Sequence, residues 1–201
     1  NNSYQAIFFQ EKNTKNTKSF TDTAKLISKK ENTFIQGYVQ IDYKKSNTYS
    51  GAHLRIDNSF IKAPYLIEQA DFIGCQQANF TLNNSTLKNL KPGGTLLVNS
   101  SLTSKAFWQS ITVNIQREII KNRINLLIAN FKNIDKLETL KDENISELHA
   151  CFLAIKKDLA YSESIHNLND FIYKVNTTNV NIKETISTKY DESFNRALLG
   201  K

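Results

Sequence analysis

The sequence predicts an α/β fold: a Rossmann-like, mainly parallel sheet flanked by helices, with an inserted antiparallel hairpin. Three observations predict it. Ala70–Ser100 reads as a buried strand, a helix, a Pro-Gly-Gly turn and a second buried strand, the alternation from which parallel sheets are built. Tyr4–Phe9, Thr95–Asn99 and Asn125–Asn130 are short apolar runs of strand length, as expected for strands covered on both faces. Thr33–Tyr43 and Ala52–Asp57 alternate in polarity across a short polar loop, Lys44–Gly51, which suggests an antiparallel hairpin grafted onto the sheet.

The remaining elements follow in order. After the first strand, Gln10–Phe20 is polar, lacks glycine and reads as a loop; Thr21–Lys30 reads as a helix with Ser19 or Thr21 as its N-cap. Ala63-Pro64-Tyr65 opens a turn, and Asp71–Gly74 is a buried strand. Ala78–Leu90 holds a short helix, which Leu90-Lys91-Pro92-Gly93-Gly94 ends. Ser104–Lys121 reads as one amphipathic helix, because Trp108, Ile111, Ile115 and Ile119 recur at three- and four-residue spacing. Asn144–Leu159 carries Leu148, Phe152 and Ile155 on one face, and Ser162–Tyr173 carries Ile165, Leu168 and Ile172. Lys183–Leu199 is polar and weakly helical.

Composition narrows the function classes. The 201 residues are 40% hydrophobic, enough for a core. The expected division is one α/β domain over residues 1–175 and a C-terminal extension or linker over 176–201. The net charge of +7 can attract polyanions, but Lys is scattered and no aromatic RNA-binding signature accompanies it, so no nucleic-acid partner is expected. The 2 cysteines, Cys75 and Cys151, sit far apart in apolar settings, which reads as reduced core thiols and a cytoplasmic location. No apolar run approaches the roughly 20 residues of a membrane span, so no membrane partner is expected. The chain contains 0 Met and begins Asn-Asn-Ser-Tyr; the expectation is an excerpt from a longer polypeptide.

Few residues invite chemistry. His53 and Arg55 share a strand; His53 reads as structural or partner-facing. Arg55 is the better candidate for a phosphate or interface contact, beside the plainer reading of a surface salt bridge. His149 and Cys151 lack the further ligands a metal requires. Asp42 and Asp57 read as solvated carboxylates and Trp108 as core. No nucleophile–base–acid set emerges.

Two families offer comparison. Leu90-Lys-Pro-Gly-Gly94 before an apolar strand also occurs late in methyltransferase sheets. Those enzymes bind S-adenosylmethionine at a glycine-rich turn after the first strand, whereas here no glycine precedes Gly37. The other likeness covers far more of the chain. Phe34-Ile-Gln-Gly-Tyr38, Tyr43-Lys-Lys-Ser46, Gly51-Ala-His-Leu-Arg55, Pro64-Tyr-Leu-Ile67, Ala70-Asp-Phe-Ile-Gly-Cys-Gln-Gln-Ala-Asn-Phe80, Leu90-Lys-Pro-Gly-Gly-Thr95, Val98-Asn-Ser100 and Leu148-His-Ala-Cys-Phe-Leu-Ala154 appear in order. From about Tyr4 to about Tyr173 the chain resembles the gamma subunit, or third domain, of pyruvate:ferredoxin (flavodoxin) oxidoreductases.

The resemblance implies a domain of a 2-oxoacid oxidoreductase that makes acetyl-CoA and passes electrons to ferredoxin or flavodoxin. It implies thiamine diphosphate and iron–sulfur clusters in partner domains, with none bound by this chain, and no catalytic side chain here. The domain would scaffold the assembly and line the coenzyme A side of a cleft. Family members carry a glycine-rich loop after the first strand; this chain does not, so a scaffold that has lost its ligand site is the competing expectation. The candidate ligand or interface residues are Gln10, Asn13, Gln36, Gly37, His53, Arg55, Gln76 and Asn99. Of these, Gln10, Gln76 and Asn99 fall near the carboxyl ends of the parallel strands, where such sheets bind ligands.

Overall fold

The computed structural model of the chain describes residues 3–41, 49–77, 84–134, 144–156 and 170–174. Among them runs a seven-stranded sheet in the order β2-β3-β1-β4-β5-β6-β7. Its strands are β1 (Tyr4–Glu11), β2 (Phe34–Ile41), β3 (Tyr49–Asp57), β4 (Ala70–Cys75), β5 (Leu90–Asn99), β6 (Asn125–Ala129) and β7 (Ile172–Lys174). β1, β4, β5 and β6 pair in parallel. The β2–β3 hairpin joins β1 antiparallel, and β7 joins β6 antiparallel. The α/β class, the flanking helices and the grafted hairpin are therefore as the sequence predicts.

The helices are α1 (Thr14–Ser28), α2 (Asn84–Lys88), α3 (Ser104–Ser110), α4 (Val113–Lys121), α5 (Phe131–Ile134) and α6 (Glu147–Lys156). The pleat of each strand sends alternate residues to two separate cores. On one face Ala6, Phe8, Leu54, Phe72 and Leu97 pack with Phe20 and Ile27 of α1 and Leu148 and Phe152 of α6. On the other, Ile7, Ile73, Leu96, Val98 and Leu126 pack with Leu87 of α2, Phe107 and Trp108 of α3, and Ile115 and Ile119 of α4. Fully burying one such Phe or Leu contributes about 1.5–3 kcal/mol. Phe8 and Phe72 each lie within 5.0 Å of the Phe152 ring, which locks α6 onto the centre of the sheet.

Gly74 marks where that docking is tightest. A Cβ there would stand 2.8 Å from Leu148 Cδ1 and 2.9 Å from Phe72 Cε1, so only glycine lets α6 and the strand close to this distance.

Four expectations need correction. Gln10–Phe20 is not a loop: β1 runs on to Glu11 and α1 begins at Thr14, capped by Asn13 rather than by Ser19 or Thr21. Asn13 lies in the extended region and its side chain accepts from Asn16 N at 2.7 Å. The helix is hard to read because its buried stripe is Asn16, Ser19, Phe20, Thr23 and Ile27, helical in spacing but mostly polar. Second, Ser104–Lys121 is two helices. Ile111 and Thr112 are extended, Thr112 starts α4, and Gln116 Nε2 donates to the Trp108 carbonyl at 2.7 Å across the break.

Third, Pro92-Gly93-Gly94 does not terminate a helix but lies inside β5. Two steps along β4, Ala70 to Phe72, face the span Leu90 to Thr95. The surplus is a bulge, absorbed at Gly93 with φ of 77° while its N–H donates to Asn122 O at 2.8 Å. Fourth, Ile172 and Tyr173 belong to β7, not to a helix, because they complete the edge beside β6. The expectations for Asp42, for the loop residues 44–48, and for residues 78–83, 157–169 and 175–201 fall outside the described residues.

Candidate functional site

The parallel strands point their carboxyl ends to one rim. The chain leaves β1 toward the face covered by α1 and leaves β4 toward the opposite face, where α2 packs. The crevice between β1 and β4 is thus a switch point, the place where open α/β sheets bind ligands. The sequence-predicted residues Gln10, Asn13, Gln76 and Asn99 do converge on it.

A dense amide network fills this crevice. The Gln76 Oε1 atom accepts from Glu11 N at 2.8 Å and from Asn16 Nδ2 at 3.1 Å. Asn16 Nδ2 also donates to the Glu11 carbonyl at 2.8 Å, and Gln77 Nε2 donates to Glu11 Oε1 at 2.9 Å. Gln76 N donates to the Phe9 carbonyl at 2.9 Å, while Asn99 Nδ2 donates to the Gln76 carbonyl at 3.0 Å. Asn99 Oδ1 accepts from Phe131 N at 3.1 Å, and Gln10 Nε2 lies 3.4 Å from the Asn16 carbonyl. The side-chain oxygen of Gln76, not its backbone carbonyl, therefore occupies the Glu11 N–H at the end of β1. Asn16 and Gln77 were missed from sequence. Asn16 gives a signal only in hindsight, as a buried polar residue three positions after an N-cap.

The other four candidates lie on the hairpin. Gln36, His53 and Arg55 share one face, since Gln36 pairs with Arg55 and Tyr38 with His53. Arg55 is buried, not a surface ion pair: it donates through Nη1 to Gln36 Oε1 at 2.9 Å and through Nη2 to the Tyr65 carbonyl at 2.6 Å. Its guanidinium also lies 5.0 Å from the Tyr65 ring centroid. Gln36 Nε2 donates to the Ala63 carbonyl at 2.9 Å, and His53 Nδ1 accepts from Ile67 N at 3.3 Å. Burial, then the Arg55 charge, push the His53 pKa down to about 4, so the ring is neutral and accepts. These side chains hold the segment 63–67 against the sheet. Gly37 does not join them; a Cβ there would meet the Phe20 ring at 3.1 Å on the α1 side.

The remaining titratable groups of note are structural. His149 is fully buried, with Ser19 Oγ and Ser146 Oγ each 2.8 Å from Nδ1, and Ser146 N donates to Ser19 Oγ at 2.7 Å. Desolvation pushes its pKa down to about 3. Burial, with Glu147 nearby, raises the Cys151 thiol far above its usual range, so it is no nucleophile. Asp57 accepts from Ser59, as a strand-end carboxylate does, and Trp108 is core. Among the described residues no cluster of three His, Cys, Asp or Glu side chains could hold a metal, and no helix is long and apolar enough to cross a membrane. A cavity of about 560 Å³ lies at the opposite end of the sheet, lined by Gln69, Lys88, Leu90, Pro92, Arg117 and Glu118 among others.

The chain is similar to known proteins in sequence and, for one solved structure, in fold. The family described as pyruvate ferredoxin/flavodoxin oxidoreductase matches residues 23–145. A pyruvate-flavodoxin oxidoreductase of Trichormus variabilis is 26% identical over 185 residues, 84% of this chain and 16% of the relative. That of Rhodospirillum rubrum is 30% identical over 154 residues, 76% of this chain and 13% of the relative. That of Enterobacter agglomerans is 38% identical over 106 residues, 53% of this chain and 9% of the relative. The chain thus spans about a sixth or less of the length of these curated relatives. Among solved structures, pyruvate oxidoreductase subunit PORC of Thermotoga maritima superposes with a TM-score of 0.55 at 10% identity, covering 85% of this chain and 86% of that one.

Proposed function

Because the chain belongs to the pyruvate ferredoxin/flavodoxin oxidoreductase family, we propose that it serves as the gamma-type scaffold domain of an enzyme that decarboxylates pyruvate to acetyl-CoA and passes electrons to ferredoxin or flavodoxin. Thiamine diphosphate and the iron–sulfur clusters belong to other domains of that assembly in this reading. In this reading residues 1–175 are the domain and 176–201 a C-terminal extension or linker. Two buried cysteines without a disulfide support a cytoplasmic location.

The observation that carries the scaffold reading is the closed crevice. At the point where the fold would receive a phosphate, Gln76 already satisfies Glu11 N and Asn16 Nδ2, so a coenzyme A phosphate would have to displace an internal amide. That favours a scaffold whose ligand crevice has been filled by its own side chains over a coenzyme A-binding wall.

The test is steady-state kinetics of the full-length enzyme carrying Gln76→Ala or Asn99→Ala. The expected result is pyruvate-dependent reduction of the electron acceptor with kcat and the KM for coenzyme A both within about twofold of wild type, a difference well under 1.4 kcal/mol. A tenfold rise in the coenzyme A KM would restore the ligand-binding reading. A kcat loss of several orders of magnitude in a folded variant would overturn the non-catalytic one.

A further inference from the structure

The sheet face that α2, α3 and α4 cover does not end where those helices end. Its core draws Ile7 from β1 and continues through β4, β5 and β6, but among the described residues takes none from β2 or β3. Over the hairpin the cover is instead the segment after β3, where Ile67 is buried but Phe60, Tyr65 and Leu66 point outward. Beside them stand Phe34 and Tyr38 of β2, on the same face as Arg55 and His53. Tyr38 is 55% exposed, Phe60 71% and Tyr65 60%. Phe34 and Phe60 meet edge to face at 6.2 Å, Tyr65 lies 5.0 Å from the Arg55 guanidinium, and Tyr38 stands opposite His53, so the four aromatics share one surface.

Two further features set this surface apart. β2 is one of the two edge strands of the described sheet, yet Phe34–Ile41 contains neither a charge nor a proline. Edge strands that remain in water are ordinarily guarded by one or the other. And the patch is held in place beforehand. Arg55 and Gln36 are bonded to each other and to the Tyr65 and Ala63 carbonyls, and His53 takes the Ile67 N–H. Buried polar groups are thereby committed to the backbone that presents the aromatics, which lowers the ordering cost of a contact.

Resting on the reading that this is one domain of a longer enzyme, we propose that the β2 edge and the Phe34–Tyr38–Phe60–Tyr65 patch are the docking surface for an extended apolar segment of the same polypeptide, outside these 201 residues. The matched pyruvate-flavodoxin oxidoreductases are single chains in which this domain is about a sixth or less of the length. They therefore carry abundant chain in cis at high effective concentration. An added strand would take up the outward backbone groups of β2, and its apolar side chains would seat among the aromatics, the mode of β-augmentation.

The experiment is site-specific photocrosslinking in the full-length enzyme, with p-benzoylphenylalanine in place of Tyr38 or of Tyr65 and, as control, in place of exposed Lys25 on α1. The expected result is an adduct at monomer mass whose mapped peptide lies outside this chain, at yields at least tenfold above the control. Absence of adducts at both positions overturns the proposal, whatever the activity. Adducts at dimer mass overturn it too, by assigning the surface to a second copy. The functional reading is scored separately: an active enzyme without adducts loses only the docking surface, and an inactive one with monomer-mass adducts loses only the assigned reaction.

Discussion

Acidification from about pH 7 to pH 5 should cost this domain stability in a way that two buried histidines dictate. His149 and His53 are neutral when folded, held near pKa values of about 3 and about 4 against 6.5 when free. Each folded pKa is depressed, so the unfolded chain binds the extra protons and stability falls as pH drops through 6.5 toward the folded values. Within that window each histidine removes about 1.4 kcal/mol per pH unit. Between pH 7 and pH 5 that is about 2 kcal/mol apiece and about 4 kcal/mol together, a large share of the roughly 5–15 kcal/mol that holds a domain folded. The lowered Asp57 carboxyl, bonded by Ser59, titrates below this window and does not confuse it.

The assay is urea unfolding followed by the fluorescence of Trp108, the 1 tryptophan of the chain and a buried one. His149→Phe keeps the packing on Phe8, whose ring lies 4.7 Å from the imidazole, but strips the Ser19 and Ser146 hydroxyls of their partner. It should therefore lower stability at pH 7 by about 1–3 kcal/mol and remove about 2 kcal/mol of the acid-induced loss. A wild-type chain equally stable at pH 7 and pH 5, or a variant that keeps the whole acid slope, would refute the reasoning.

Three further outcomes are expected. Gly74→Ala should destabilise by about 1–3 kcal/mol, measured by denaturant midpoint, because its Cβ would enter the space of Leu148 Cδ1 at 2.8 Å and Phe72 Cε1 at 2.9 Å; a neutral substitution would show that α6 sits farther from β4. Asn13→Ala should cost about 1 kcal/mol through loss of the cap on Asn16 N, with Asn13→Asp restoring it; an unchanged midpoint would mean that α1 starts elsewhere. Gln76→Ala should cost about 1 kcal/mol, since Gln76 is half-buried and water can replace its one acceptor for two donors, and hydrogen exchange at Glu11 N should accelerate; unchanged exchange there would remove Gln76 from the crevice.

The strands were legible because their signal is local. Phe72–Cys75, Leu96–Val98 and Leu126–Ala129 are continuous apolar runs, and a run covered on both faces has little else it can be. α1 was not legible over its first two turns, because the face it buries meets an amide crevice and a histidine cluster and is itself polar. Of the candidate residues, Gln10, Asn13, Gln76 and Asn99 were readable as a group, since each follows or ends a parallel strand and the fold class alone brings such positions to one rim.

Sequence by itself determined the class, the hairpin, the two-faced core and the family, all of which rest on pattern along the chain. Tertiary structure alone decided that the rim is closed by Gln76, that Arg55 is buried and framed by Gln36 and the Tyr65 carbonyl, and that an uncharged edge strand lies beside exposed aromatic side chains. The physical reason is the reach of the interactions. Apolar periodicity is set by neighbours a few residues apart, whereas a hydrogen bond between residues 11 and 76, or the exposure of one aromatic rather than another, depends on which distant segments the sheet brings together.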